Sequence, residues 1–316
     1  MIDSLVDRAT SILERRFLTN AFLPVLLFLP AVLMPSLLQG NRIGDWTVSW
    51  GALPVGTKAL MVVGYFTFTW FLAVILASQW RNIIRLYEGY PLIHIPFLDE
   101  MGKYWHGNQL ATLDRGGSGS EHLEYRAFPQ RPEILPTRLG NVLRAAEMYP
   151  YYRYEADLIL LWPRLREVVP ADSMTEVDGA RARMEFLLVL SLWFTGFAIL
   201  VPLAAWVLHT SPWIALVCAV LSAGGAYCSY LSAIGATAEY GDFLRSVFEM
   251  YRFDLLERLR IDAPKNLAQE RSRWSELAAF IGRDHLLTLT YGSGAAAASD
   301  TSAALESPGG GAGQSQ

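Results

Sequence analysis

The sequence predicts an all-α integral membrane protein with four transmembrane helices in two hairpins and a helical cytoplasmic module. Apolar residues make up 52% of the 316-residue chain. Charged residues supply only 18%, against about 25% in an average soluble domain. No Asp, Glu, Lys or Arg occurs in residues 17–41, 59–80 or 186–238. Because about 20 apolar residues cross a bilayer, these stretches hold one, one and two spans.

The spans are predicted at residues 18–38, 59–80, 186–208 and 213–236, and a His-Thr-Ser-Pro turn at 209–212 separates the last pair. In the first span, Pro24, Pro30 and Pro35 each remove a backbone donor, so we expect a kinked helix. A broken helix can line an ion or substrate path. Proline is also common in ordinary membrane helices, so both interpretations stay open.

The distribution of basic residues predicts the orientation. Of the 26 Lys and Arg residues, 13 lie in residues 81–183, eight follow residue 238 and three precede residue 17. Only Arg42 and Lys58 flank the first connection. By the positive-inside rule, both termini and the long middle segment are cytoplasmic, and we expect a multi-pass protein of the plasma membrane.

The N-terminal residues 1–17 show apolar residues at helical spacing opposite charged ones. This pattern predicts an amphipathic interfacial helix, either on the inner leaflet or packed against the cytoplasmic domain. A secretory signal peptide is disfavoured, because its n-region would not carry Asp3, Asp7 and Glu14.

Small residues recur every four positions in the fourth span, at Gly225, Ser229, Ala233 and Thr237. Such a row lets another helix approach closely. The partner is either the third span of the same chain, which we favour, or a second copy of the chain.

The remaining segments are predicted to be cytoplasmic. The fourth span continues as one helix from Trp213 to Arg260, about 70 Å long at 1.5 Å per residue. The chain therefore divides into an interfacial helix (1–17), a first transmembrane hairpin (18–80), a cytoplasmic helical segment (81–184), a second hairpin (185–238), a cytoplasmic stalk and helix (239–289) and a disordered tail rich in Ala, Gly and Ser (290–316).

The cytoplasmic segment is almost neutral, with 13 basic and 14 acidic residues. Residues 92–133 are rich in Gly and Pro, and residues 115–120 are expected to form a flexible loop rather than a phosphate cradle. Two helices are predicted further on, one capped by Thr137 and one from Arg153 to Pro163. Four tyrosines between them, at 149, 151, 152 and 154, either pack the two helices together, which we favour, or lie at the lipid headgroups.

One candidate site lies on the helix that begins near Thr137. Arg138, Asn141 and Arg144, close to the positive end of the helix, form a candidate anion- or lipid-binding site, for example for a lipid phosphate. Gly140 costs about 1 kcal/mol in a helix interior, which indicates a close approach to the backbone. In the structural alternative, which we favour, Arg144 pairs with Glu147 and Gly140 packs against the extension of the fourth span.

Other chemistry is not predicted. A net charge of −4 excludes the basic footprint of a nucleic-acid binder. The histidines have no metal-ligand spacing and are expected on the surface or at helix caps, so neither a metal nor a cofactor is expected. No residue set has the pattern of a catalytic site, and the predicted spans lack ionisable residues, so an enzyme and a coupled transporter are not expected.

These observations favour a non-enzymatic membrane scaffold or protein-interaction component. Its expected partners are membrane lipids and a protein partner or a second copy of the chain. Two other functions stay open: an oligomeric channel lined by the first or the fourth span, and an enzyme that acts on lipid at the inner leaflet.

Overall fold

A computed structural model describes residues 17–37, 42–116, 125–209 and 211–283. Over these ranges the regular structure is helical and no strand forms, which confirms the all-α class. The predicted disordered tail, nearly all of the predicted N-terminal helix and residues 117–120 of the predicted loop lie outside the described residues.

Eleven α-helices are numbered here in chain order within the described ranges. They are α1 (Leu23–Leu37), α2 (Arg42–Ala52), α3 (Val55–Ser78), α4 (Trp80–Glu88), α5 (Tyr90–Ile93), α6 (Pro96–Gly116), α7 (Arg138–Tyr154), α8 (Leu158–Leu165), α9 (Ala171–Val207), α10 (Pro212–Arg258) and α11 (Leu267–Arg283). A π-helical turn, Leu18–Phe22, leads into α1.

Three of these helices, α3, α9 and α10, are long and apolar enough to cross a membrane. Their apolar windows are mostly unburied within the protein, as expected for helices whose solvent is lipid. The 47-residue α10 confirms the predicted uninterrupted helix to within two residues at either end.

The first predicted span is helical, but it is not one uniform helix. Its apolar part, Leu18–Met34, has 17 residues, which is short of the roughly 20 that cross a bilayer. A fourth membrane span therefore stays a prediction.

Pro30 explains one contact of α1. A proline has no N–H, so the carbonyl of Leu26, four residues earlier, loses its intrahelical donor. The hydroxyl of Tyr65 on α3 donates to this carbonyl instead. This contact ties α1 to α3, where Ala21, Val25 and Ala73 form a fully buried apolar cluster.

The chain divides into two compact units. The first comprises residues 1–146 and 175–243, and the second comprises residues 147–174 and 244–316. Helices α7, α9 and α10 contribute residues to both units. The candidate site predicted at residues 138–144 belongs to the first unit.

In the first unit, α9 packs on α10 through the small residues of the latter. A Cβ on Gly225 would lie 3.1 Å from the ring of Phe194, so a larger residue would require this ring to shift. The Ser191 hydroxyl donates to the carbonyl of Ala226 at 3.0 Å. Ser229, Ala233 and Thr237 of the same row are buried. The row of small residues thus faces the same chain.

The second unit is built around α8, α11 and the C-terminal part of α10. Trp274, Phe248, Leu161 and Leu165 are fully buried there. The helix predicted at Arg153–Pro163 is wrong at its start: α7 continues to Tyr154, and α8 begins only at Leu158. Asp157 caps α8 by accepting from the backbone N–H of Leu160 at 3.1 Å, which explains the later start.

Candidate functional site

The predicted site lies where α4 ends against α7. Gly89 has φ +91°, a left-handed conformation that stops α4 and turns the chain. The Thr137 hydroxyl donates to the carbonyl of Tyr87 at 2.9 Å and accepts from the backbone N–H of Gly140 at 3.1 Å. One threonine thus caps the start of α7 and satisfies a terminal carbonyl of α4.

Gly140 is in direct contact with α4. A Cβ at this position would lie 2.4 Å from the carbonyl oxygen of Glu88, a distance that no side chain tolerates. The close approach inferred from the sequence is therefore present. The expected neighbour was wrong: Gly140 packs on α4, the extension of the second predicted span, and not on the extension of the fourth.

Asn141 is fully buried and its side chain is hydrogen-bonded on both sides. Its amide oxygen accepts from the backbone N–H of Leu135 at 2.7 Å. Its amide nitrogen donates to the carbonyls of Leu135 and Thr137, both at 2.9 Å. Asn141 therefore fixes the turn that precedes α7.

The two arginines of the predicted site lie in different environments. Arg144 forms an ion pair with Glu133, with its Nε 3.0 Å from the carboxylate, and is partly buried. Arg138 is exposed. The structure thus gives Asn141 and Arg144 structural contacts within the chain and leaves Arg138 on the surface, whereas anion binding by the three residues stays a prediction.

Glu88 is a buried carboxylate at this joint that sequence reasoning missed. Burial raises its pKa, and the nearby positive charges of Arg85 and Arg144 oppose that rise. No sequence pattern marks this residue, because its burial depends on the approach of α7.

A second missed feature is a stack of two tyrosines beside the joint. The rings of Tyr87 on α4 and Tyr230 on α10 lie 6.0 Å apart at 23°. The Tyr87 hydroxyl lies beside the hydroxyls of Ser191 and Thr195 on α9. The Tyr230 hydroxyl faces the backbone amides of Arg138 and Leu139. The predicted cytoplasmic segment therefore touches α9 and α10 inside the predicted spans.

His106 is not on the surface, as the sequence predicted for the histidines, but almost fully buried on α6. Its Nδ1 lies 3.4 Å from the side-chain oxygen of Gln109, and its ring contacts those of Trp105 and Phe128. Burial lowers its pKa, and nearby Arg138 lowers it further. In the described ranges, no group of three or more His, Cys, Asp or Glu side chains is placed to hold a metal.

In the second unit, charged and aromatic side chains from α7, α10 and α11 form one network. Glu249 accepts hydrogen bonds from the hydroxyls of Tyr149 and Tyr154. Arg252 lies over the ring of Tyr154 and pairs with Glu270 at 2.8 Å. Burial and the bond to Glu249 raise the pKa of Tyr149 to about 12. Two of the four clustered tyrosines, Tyr149 and Tyr154, therefore hold α7 against α10. Packing of the two predicted helices on each other by these tyrosines stays a prediction.

An open groove of about 630 Å³ runs along the start of α11 in the second unit. Glu155, Arg271 and Glu276 contribute charged groups to its lining, and Leu267 contributes an apolar one. The Nε of Arg271 donates to the carbonyl of Arg153 at 2.9 Å, so this arginine is tied to the last turn of α7.

Comparisons of the chain with known protein families, with curated proteins and with solved structures found no match.

Proposed function

We propose that this chain is a four-span scaffold of the plasma membrane, with both termini and residues 81–184 in the cytoplasm, and with no catalytic role. Membrane lipids and a protein partner or a second copy of the chain are its proposed partners. The charge asymmetry supports the orientation, because basic residues concentrate in the proposed cytoplasmic segments. In this topology α2 and the turn after α9 face outward.

The observation that carries the scaffold function is the position of the small-residue row on α10. Gly225 lies against Phe194, and the Ala226 carbonyl accepts from Ser191. A pore or a tight oligomer built on the last span needs this row for contact with neighbouring copies. Because the row packs within one chain, a scaffold is favoured over a channel lined by the fourth span.

The joint between α4 and α7 supports a scaffold over an inner-leaflet enzyme. Asn141 and Thr137 satisfy backbone groups, and the Arg144 guanidinium binds Glu133. A catalytic site needs polar groups that converge on a substrate. Here the groups bind each other and the backbone, an arrangement that stiffens the connection between the membrane helices and the segment that follows.

Reconstitution of the full-length chain into nanodiscs and planar bilayers tests the function. A scaffold of this kind gives the mass of one or two chains per disc and no ionic conductance. A ring of several chains with measurable conductance would instead establish the channel. Release of a modified lipid from the disc membrane would favour the enzyme.

The topology is tested by single cysteines at Ser49 and Asp172, both exposed, in a chain whose Cys218 and Cys228 are replaced by Ser. An impermeant thiol reagent on intact cells should label Ser49→Cys, whereas Asp172→Cys should react only after permeabilisation. The reverse pattern would contradict the proposed orientation.

A further inference from the structure

An exposed apolar surface covers α5, the start of α6 and the residues between them. Six large side chains form this surface, which we call the aromatic face: Ile93, Ile95, Phe97, Met101, Tyr104 and Trp105. Phe97 and Tyr104 are more than 70% exposed. On α6 the members recur at i, i+4, i+7 and i+8, which places them on one side of the helix. A soluble surface rarely carries so many adjacent large apolar groups.

The opposite side of α6 holds the helix in place. His106 and Leu110 on that side are buried. Gly102 lies so close to the backbone of Pro136 that a Cβ would approach its carbonyl oxygen to 2.6 Å. Because α6 is seated through this side, the aromatic face is directed outward by the fold.

A chain of contacts connects the aromatic face to the membrane helices of the first unit. Gly102 packs on Pro136, which precedes Thr137 and the start of α7. The first amides of α7 face the Tyr230 hydroxyl on α10. Tyr230 lies six residues before the end of the fourth predicted span, about 9 Å along the helix. The start of α7, on which α6 is seated, therefore lies within about 9 Å of the position at which the apolar part of α10 ends.

The path of the chain is consistent with this position. The non-helical conformation of Gln79 separates α4 from α3, and the left-handed Gly89 turns the chain again after the nine residues of α4. At 1.5 Å per residue, α4 extends for only about 13 Å. Because α4 is this short, α5 begins close to the end of α3 and within reach of the bilayer surface.

The composition of the aromatic face matches the lipid headgroup region. Tyr and Trp concentrate at membrane interfaces, because their rings have an apolar body and a polar edge. Amphipathic helices bury such a face about 5–10 Å into the boundary between headgroups and acyl chains. Exposed Arg81 and Arg85 on α4 supply cations in the same region of the sequence.

We propose that the aromatic face is a membrane-docking surface that inserts into the headgroup region of the bilayer crossed by α3, α9 and α10. The inference rests on the proposed membrane spans and is independent of the scaffold role. Residues 90–105 are then a lipid-bound element on the side where α3 ends, and not part of a water-exposed domain.

Fluorophores on single cysteines test this in nanodiscs that hold one full-length chain, in the background lacking Cys218 and Cys228. Tyr104→Cys probes the aromatic face. Val63→Cys, exposed in the middle of α3, is the lipid reference. Glu176→Cys, exposed on α9 about 15 Å before its apolar part, is the aqueous reference. Each label is quenched in turn by lipids brominated along their acyl chains and by aqueous iodide.

We expect bromolipid to quench the Tyr104 label at least about twofold more than the Glu176 label, and iodide to do the reverse. Equal quenching of these two labels, with the Val63 label quenched by bromolipid, would overturn the docking surface alone. A Tyr104 label shielded from both quenchers would show that protein covers the face, which also overturns the proposal. If the Val63 label were not quenched by lipid, the proposed spans would fail as well.

Discussion

At residue 140, the lack of a side chain allows α7 to touch α4. The neighbouring atoms are the Glu88 carbonyl and the Thr137 hydroxyl, and the carbonyl belongs to a helix backbone that cannot turn away. This joint should therefore tolerate little increase in side-chain size at Gly140 and little change in charge at Glu88.

Gly140→Ala should lower the free energy of unfolding by about 1–3 kcal/mol, because the new methyl group collides with the Glu88 carbonyl. Gly179→Ala is the matched control, since Gly179 lies in α9 and a Cβ there meets nothing within 4 Å. That control should gain up to about 1 kcal/mol from helix propensity. Denaturant unfolding in detergent measures both, and equal effects would contradict the contact.

Glu88→Gln should change how stability depends on pH. The folded protein holds the Glu88 pKa above its ordinary value of 4.5 through burial. A carboxyl with a raised pKa stabilises the fold below its unfolded pKa, and this contribution is lost as the pH rises through the folded pKa. Wild type should therefore lose stability relative to Glu88→Gln over that window. Thermal unfolding of both proteins from pH 4 upward measures the difference, and a relative gain by wild type would contradict the assignment.

At the scale of the helices, a proline in α1 and a tyrosine in α3 are linked through one hydrogen bond. Pro30 deprives the Leu26 carbonyl of a donor, and Tyr65 supplies one from the neighbouring helix. In lipid, water cannot replace this donor.

Tyr65→Phe should therefore destabilise the protein by about 0.6 kcal/mol, a typical value for hydrogen bonds between membrane helices. Pro30→Ala restores an N–H at the position that bonds to Leu26, so in that background Tyr65→Phe should cost less. The four proteins form a double-mutant cycle that unfolding in mixed micelles can measure. Additive effects of the two changes would show that the tyrosine and the proline are independent.

The long apolar helices were predictable from the sequence, whereas α2 and α6 were not. A membrane span requires an unbroken apolar run, so charge-free stretches located α3, α9 and α10. The helices α2 and α6 were missed, because glycines and charged residues interrupt their apolar patterns. The spacing of Phe97, Met101 and Tyr104 was a signal that could have revealed α6.

The site was predictable in part. The sequence marked Gly140 as a place of close approach, since glycine is costly inside a helix. It could not name Glu88 as the neighbour, because residues 52 positions apart meet only through the tertiary fold. For the same reason the ion pair of Arg144 with Glu133 was not expected.

For the whole molecule, the central question is whether α10 assembles the chain with itself or with other chains. Two adjacent glycines of the first unit, Gly224 and Gly225, bear on this question. A Cβ on Gly225 meets the Phe194 ring, while a Cβ on Gly224 meets nothing within 4 Å. Gly224 thus faces away from α9 and is a control at the same depth in the membrane.

Gly225→Ala should lower the unfolding temperature relative to Gly224→Ala, because Phe194 must move by a few tenths of an ångström to admit the methyl group. The number of chains per nanodisc should be the same for both variants and wild type, since the affected contact lies within one chain. A change in that number for Gly225→Ala alone, without loss of thermal stability, would place the small-residue row between chains. In that case an oligomeric pore lined by the last span would become the favoured function, because close packing of copies around an axis requires such a row.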